Sequence, residues 1–435
     1  MNLKTVYEFI VVINVLLILL FIFEEKKNYR SMLLWVVLFI FFPLGGYLIY
    51  LLIGRGILLP SFYYRENEIN LTLYNNVTFF NDGRELFKDI FYLIENAKTS
   101  IHIESYIFRD DELGKKLVCL LKKKCREGIK VKVVYDPNGN LFNDKHFFDE
   151  LINEGGEVRK YYYGIYRFLN FNYRNHRKII VIDGLVAYIG GFNIGEEYLS
   201  KHPRITPWRD SHIKIEGESV YYIQKTFLND FYSASKKRNV NVNSSLIRSK
   251  VENYCPIEVA TFFPNEDYQV VKQVYLKEIY NARKRILIQT PYFVPDIGLL
   301  NSLKYVLRQG IEVVIMIPKV YDKIISYYAT LEYAMELFEK GAKVYLYHGF
   351  IHSKVMLVDS SFLSIGSTNF DIRSFHHNLE ENAFIYDRNK IMEYYYIFKD
   401  DLIRCDEYDE VYERKYLRKY RFGRKIFKIL SSLMW

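Results

Sequence analysis

The sequence predicts an α/β protein: two tandem, related domains, each a mixed sheet flanked by helices, preceded by two transmembrane helices. Three observations carry that prediction. The pattern H-x-K-x-x-x-x-D-x-x-x-x-x-x-G occurs twice, 176 residues apart, so that His176, Lys178, Asp183, Gly190 and Asn193 recur as His352, Lys354, Asp359, Gly366 and Asn369. The flanking segments repeat as well. Finally, two apolar stretches stand ahead of the repeat, within residues 1–56.

In chain order, residues 6–23 are apolar apart from Tyr7, Glu8 and Asn14, and residues 32–53 are longer and cleaner. At a rise of ~1.5 Å per residue, each spans or nearly spans a hydrocarbon core of ~30 Å. Charged residues 24–27 follow the first stretch where a signal peptide would carry a small-residue cleavage site, which favours a retained helix. Pro43 and the Gly45-Gly46 pair are expected to bend the second helix or make it re-entrant. Lys26, Lys27 and Arg30 between the stretches balance Lys4, Arg55 and Arg65 outside them, so positive charge does not set an orientation. A hairpin does place the N-terminus and the bulk of the chain on one side.

The first domain is expected over 57–245 with its motif at 176–193, and the second over 246–411 with its motif at 352–369. Each opens with an apolar strand, IHIESYIF at 101–108 and ILIQTPYF at 286–293. Helical stretches at 111–126 and 299–308 end at Gly128 and Gly310 and lead into VKVVYD and VVIMIP. Gly156-Glu157-Val158 and Gly341-Ala342-Lys343-Val344 then precede the motifs. Strand–helix–strand alternation of this kind gives a largely parallel sheet covered by helices. The boundary falls in the polar stretch around 239–251.

Net charge is +9, which favours a polyanion, either nucleic acid or an anionic membrane. Part of the excess lies in residues 412–435, where eight Lys or Arg between Arg414 and Lys428 are interleaved with Tyr416, Leu417, Tyr420, Phe422, Ile426, Phe427 and Ile429. This reads as a basic amphipathic helix on an anionic leaflet, set against the alternative of a helix packed on the domain. Cys119, Cys125, Cys255 and Cys405 have no zinc spacing and read as reduced thiols.

The motifs carry the chemistry. Residues two apart on a strand share a face, so each His sits beside its Lys. Two related halves can bring two imidazoles and two ammonium groups to one cleft, which suits a phosphodiester handled without a metal. Lys178 and Lys354 would neutralise non-bridging oxygens, assisted by the amides of Asn193 and Asn369 and the hydroxyl of Ser367. One neutral His can attack phosphorus while the other, protonated, serves the leaving alkoxide. No carboxylate or cysteine set beside His176 and His352 suggests zinc. His376 and His377 read as local packing. Glu104 and Tyr106 fall on the first predicted strand; either could face the cleft, with a core or edge position the expectation for Tyr106.

These residues resemble the phospholipase D superfamily, whose two H-K-D motifs form one site between two halves. NYRNHRKIIVIDG (172–184), GGFNIGEEYL (190–199), PWRDSHIKIEG (207–217) and HSKVMLVDSSFLSIGSTNFDIRSF (352–375), with the apolar N-terminal stretches, are similar to the bacterial cardiolipin synthases. The resemblance implies transfer of a phosphatidyl group with no metal, nucleotide or other cofactor. His176 would take the group from phosphatidylglycerol. His352 would protonate the departing glycerol and activate the hydroxyl of a second phosphatidylglycerol, giving cardiolipin. Asp183 and Asp359 would support the site through salt bridges. Asp210 and Glu380 would orient the histidines in an unassigned order, with Glu381 as a competitor of Glu380. Gly191 departs from the second copy, which has Ser367 at that place. The same motifs serve a hydrolytic phospholipase D, a transferase using another headgroup alcohol, or a nuclease; the apolar N-terminus speaks against nucleic acid. The resemblance further implies a multi-pass cell-membrane protein with a cytoplasmic catalytic domain, partnered by phosphatidylglycerol and anionic lipid.

Overall fold

The computed structural model describes residues 2–24, 29–50, 67–162, 172–235, 246–247, 249–264, 269–417 and 420–434. Lys26, Lys27, Arg55, Arg65 and much of the expected boundary at 239–251 lie outside the described residues.

Each half builds the same run of strands. In space the first runs Glu68–Phe80, His212–Gly217, Val186–Gly190, Lys178–Ile182, Ser100–Ser105, Lys130–Tyr135 and Glu157–Lys160. The second repeats that order as Tyr254–Phe262, Asn378–Ile385, Phe362–Gly366, Val355–Val358, Arg285–Gln289, Glu312–Pro318 and Lys343–Tyr347, with Cys405–Glu407 added at the edge. In both, the strands around Ser100–Ser105 and Arg285–Gln289 continue outward in parallel and inward antiparallel. The halves join where Glu68–Phe80 lies antiparallel to Tyr254–Phe262, with Leu71 opposite Glu258, so one mixed sheet passes through both.

Local chemistry explains the repeat. Every residue of Lys178–Ile182 and of Val355–Val358 is buried, as befits β-branched and aliphatic runs covered on both faces. The crossover helices Glu112–Arg126 and Ile297–Arg308 are capped by Asp111 and Asp296, which accept from the Gly114 and Leu299 N–H groups at 3.0 Å each. They stop at Gly128 and Gly310, whose φ values of 83° and 81° glycine adopts without a Cβ clash. A core shared by the halves packs Val181 and Phe227 with Leu357 and Tyr394. Each fully buried side chain of this size contributes ~1.5–3 kcal/mol, so the halves are held as firmly as the interior of one domain.

The N-terminal expectation is met by one helix rather than two. Leu3–Glu24 is continuous, and its Lys4–Phe23 span, with mean hydropathy 2.8, is long and apolar enough to cross a membrane. The expected helix over 32–53 is instead Tyr29–Phe41 followed by the short Gly45–Ile49, with residues 51–53 outside the described set. Pro43 supplies no N–H, and Leu44 turns to φ 60°, which ends the first piece. Thirteen residues reach only ~20 Å as a helix. Among the described residues a second spanning helix is therefore not found. The pieces still pack together: Asn14 Nδ2 donates to the Phe39 carbonyl at 3.0 Å, and Phe21 meets Phe39 edge-on at 5.1 Å.

The basic C-terminal helix Arg421–Met434 packs along Ile324–Phe338 and touches Tyr29–Phe41. Phe427 stacks on Tyr328 at 5.6 Å, and Lys428 pairs with Glu336. Arg424, counted above among the lipid-facing cations, is instead buried against Glu413, 2.6 Å away. Phe422 and Ile429 remain exposed on the opposite side.

Candidate active site

Each histidine is hung from the other half of the protein. The short strand Arg174–Asn175 pairs with Asn378 and Leu379, and the next N–H, that of His176, donates to the Leu379 carbonyl at 3.0 Å. The strand Phe350–Ile351 pairs with Trp208 and Arg209, and the His352 N–H donates to the Arg209 carbonyl at 2.6 Å. The residue following each acceptor strand position is then a carboxylate beside the histidine. Glu380 lies 3.0 Å from His176 Nδ1, and Asp210 lies 2.6 Å from His352 Nδ1. The pairing left open by sequence is thus crossed between halves. Glu381, next along the strand, points to the other face, buried near Arg177, and takes no part in holding His176.

Burial sets the protonation. It pushes Glu380 up, but His176, Lys178 and the Ser367 hydroxyl outweigh it and hold the carboxyl below its ordinary value. Asp210 is likewise lowered, burial being outweighed by His352 and Lys354. Burial lowers His176 to about 4, against Glu380, with Lys178 adding to the fall. It lowers His352 to about 4 with Lys354, against Asp210. Ionised carboxylates facing neutral imidazoles fix the proton on Nδ1, leaving the Nε2 lone pair for the cleft. Burial takes Lys178 to about 7 and Lys354 to about 8, each partly restored by Glu380 and Asp210. Both ammonium groups fold back to donate to a backbone carbonyl, Lys178 to that of His176 and Lys354 to that of His352.

His176 and His352 open into one cleft of about 700 Å³. Tyr106 lines it, its ring edge-on to His176 at 5.2 Å, rather than sitting in the core as expected. Glu104 lies beneath, bonded by Asn175 Nδ2 at 2.5 Å. Asn193 also lines the cleft, yet its amide is already engaged: Oδ1 accepts from the Ile107 N–H at 3.2 Å and Nδ2 donates to the Tyr198 hydroxyl at 2.8 Å. Asn369 is buried with Oδ1 unmatched by any described protein donor. Ser367 Oγ accepts from the Glu381 N–H at 3.0 Å and so braces the strand that carries Glu380.

Asp183 and Asp359 sit away from the cleft, at the far ends of the motif strands. Five residues of strand put Asp183 ~16 Å along from Lys178. The salt bridges expected of them are replaced by backbone contacts. Asp183 accepts from the N–H groups of Lys98, Thr99 and Ser100 at 2.7–3.1 Å, and Asp359 from those of Arg283, Lys284 and Arg285 at 2.7–2.8 Å. Both adopt positive φ, 57° and 54°, at the turn between motif strand and return strand. They pin that turn to the start of the neighbouring strand.

Gly191 has a steric reason. A Cβ there would meet Asp210 Oδ1 at 1.9 Å, so the position opposite Ser367 has no room for a hydroxyl. Sequence reasoning missed the walls. Trp208 and Tyr198 face the His352 ring at 5.0 and 6.5 Å, and Arg209 is buried in a pair with Asp401 at 2.7 Å while donating to Ser353 at 2.9 Å. The one signal in the sequence was adjacency, Trp208-Arg209 immediately preceding the candidate Asp210; that 208–213 are all buried is visible only in the fold.

Comparison with known proteins follows the same lines. A family model described as cardiolipin synthase, phospholipase D-like domain, matches residues 90–231 and 275–402. The chain is 35% identical to the major cardiolipin synthase ClsA of Bacillus subtilis, over 97% of this chain and 98% of that protein. It is 33% identical to a cardiolipin synthase of Listeria monocytogenes, over 98% of both, and 33% identical to one of Staphylococcus aureus, over 97% and 95%. The crystal structure of a phosphatidylserine synthase of Haemophilus influenzae superposes with a TM-score of 0.64 at 18% identity, covering 84% of this chain and 98% of that one, a likeness of fold. With its duplicated sheet, its crossed histidine–carboxylate pairs and relatives alike along almost their full length, the chain belongs to the cardiolipin synthase family of phospholipase D-like enzymes.

Proposed function

We propose that this protein is a membrane-bound phosphatidyltransferase that makes cardiolipin and glycerol from two molecules of phosphatidylglycerol. The observation that carries the proposal is the pair of buried imidazoles, each tied through Nδ1 to a carboxylate of the opposite half and opening into one cleft beside two lysines. Nε2 of His176 attacks the donor phosphorus, forming a P–N bond as the P–O bond to glycerol breaks. The proton on His352 Nε2 goes to the departing glycerol oxygen. Neutral His352 then removes the proton from a headgroup hydroxyl of the second lipid, whose oxygen attacks phosphorus and releases His176. Lys178 and Lys354 stabilise the negative charge that accumulates on the non-bridging oxygens. An anionic phosphodiester bound in the cleft raises the pKa of His352 from its value in the empty site, which supplies the acid. The apolar Lys4–Phe23 helix anchors the protein, the cleft faces the cytoplasmic leaflet, and the exposed Phe422 and Ile429 contact lipid. The catalytic halves are placed at 57–245 and 246–411, followed by the basic segment 412–435.

The test is purified full-length protein in phosphatidylglycerol micelles, with products resolved by mass spectrometry. Cardiolipin with released glycerol supports the proposal; phosphatidic acid in its place would make the enzyme a hydrolase.

Two further outcomes are expected. In the empty cleft Lys178 and Lys354 are charged below about 7 and 8 and lose that charge as pH rises through those values. kcat/KM, which reports the free enzyme, should therefore fall on the alkaline side of pH 7–8. A profile flat to pH 10 would contradict a phosphate-binding role for the lysines. Gly191→Ser should displace Asp210 and with it His352, lowering turnover by about 100-fold. Near wild-type turnover in that variant would show that the Asp210 position is not critical.

A further inference from the structure

We infer that Arg204 and Lys323 form a second phosphate site on the His352 side of the cleft, which holds the acceptor lipid's own phosphodiester. The inference rests on the functional reading above and adds what selects the acceptor. Of the cleft's outer cations, Arg109 is engaged by Glu197 at 3.5 Å and Lys319 by Asp406 at 2.6 Å. Arg204 and Lys323 line the same cleft and have no carboxylate partner among the described residues. Both are exposed at the rim of the cleft, whereas Lys178 and Lys354 are buried.

Their placement favours the acceptor. Arg204 lies in the loop between Tyr198 and Trp208, the two residues whose rings face His352. Lys323 lies on the wall contributed by the half that carries His352, with Nζ 5.6 Å from the Tyr292 ring. His176 is walled instead by Tyr106. The floor of the cleft needs its histidines and lysines for the one phosphodiester that reacts. A phospholipid acceptor brings a second phosphodiester, separated from its attacking hydroxyl by a short headgroup chain. Two cations lining the same cleft as His352 match that second anion, and a neutral alcohol such as glycerol gains nothing from them. The substrate class they select is thus an acceptor that already carries a phosphate.

One assay separates the two uses of the phosphatidyl group. Full-length enzyme in phosphatidylglycerol micelles with labelled glycerol forms cardiolipin and, by exchange onto a phosphate-free acceptor, labelled phosphatidylglycerol. In the double variant Arg204→Ala with Lys323→Ala, the ratio of cardiolipin to exchanged label should fall by about tenfold or more. In Arg204→Lys with Lys323→Arg it should recover. An unchanged ratio would overturn the site, whether both products drop together or neither drops. If wild-type enzyme exchanges glycerol without making cardiolipin, the functional reading itself fails and the acceptor site falls with it, an outcome visible before any variant is compared.

Discussion

His176→Ala is expected to reduce cardiolipin formation by on the order of 10^4-fold or more, because the nucleophile, and not merely a contact, is removed. The structure makes the substitution a fair test. His176 is held by its backbone bond to Leu379 and by side-chain contacts to Glu380 and Tyr106, and none of the buried aliphatic core depends on its ring. Folding should survive, and thermal unfolding close to wild type would establish it. His352→Ala should fail differently. In that variant glycerol has no acid to protonate it and no base activates the acceptor, so turnover of phosphatidylglycerol is lost at both steps. From a phosphatidyl donor bearing a nitrophenyl headgroup, which leaves without a proton, an adduct should build up on His176, seen by intact-mass spectrometry after a neutral quench. Substantial turnover in His176→Ala would sink the covalent mechanism, and an adduct mapped to His352 in the wild type would reverse the two roles.

What the sequence made legible, and what it did not, divides along the range of the interactions. The strand–helix–strand units were readable because each repeats its own local signals, an aliphatic strand and a helix stopping at Gly128 or Gly310. The expected largely parallel sheet was not borne out. Along the main run only the outer strands pair in parallel. The motif strands and the strands joining the halves pair antiparallel, a choice made by long-range pairing. The four motif residues could be expected in one cleft because duplication implies a two-fold axis. The crossing of the carboxylates could not, since it depends on strands from opposite halves pairing at Arg174–Asn175 and Phe350–Ile351. The motif aspartates misled for a related reason. A conspicuous acid in a conspicuous motif reads as part of the site, whereas a positive-φ turn residue that collects three backbone N–H groups has a purely local task. Pro43 marked a bend, and the structure turns that bend into a break. Arg424 counted as one basic residue among eight until its burial against Glu413 removed it from the lipid-facing set.

Asp210→Asn should lower turnover of phosphatidylglycerol by roughly 10^2- to 10^4-fold, and the loss should depend on the leaving group. Asp210 stays ionised beside His352 and is the main influence opposing the fall of that imidazole's pKa. An amide of the same shape keeps the hydrogen-bonded geometry and discards the charge, so His352 is harder to protonate at the moment glycerol departs. Glycerol is a poor leaving group and needs that proton. A nitrophenol does not, so a phosphatidyl donor bearing a nitrophenyl headgroup should form the adduct in Asp210→Asn at close to the wild-type rate. Glu380→Gln offers the contrast: its partner His176 acts as a nucleophile, so weakening it should slow both donors alike. The crossed pairing thus makes a signed prediction, in which one carboxylate variant is rescued by a better leaving group and the other is not. Equal losses on both donors for Asp210→Asn would mean that the aspartate only shapes the site, and rescue of Glu380→Gln instead would exchange acid and nucleophile.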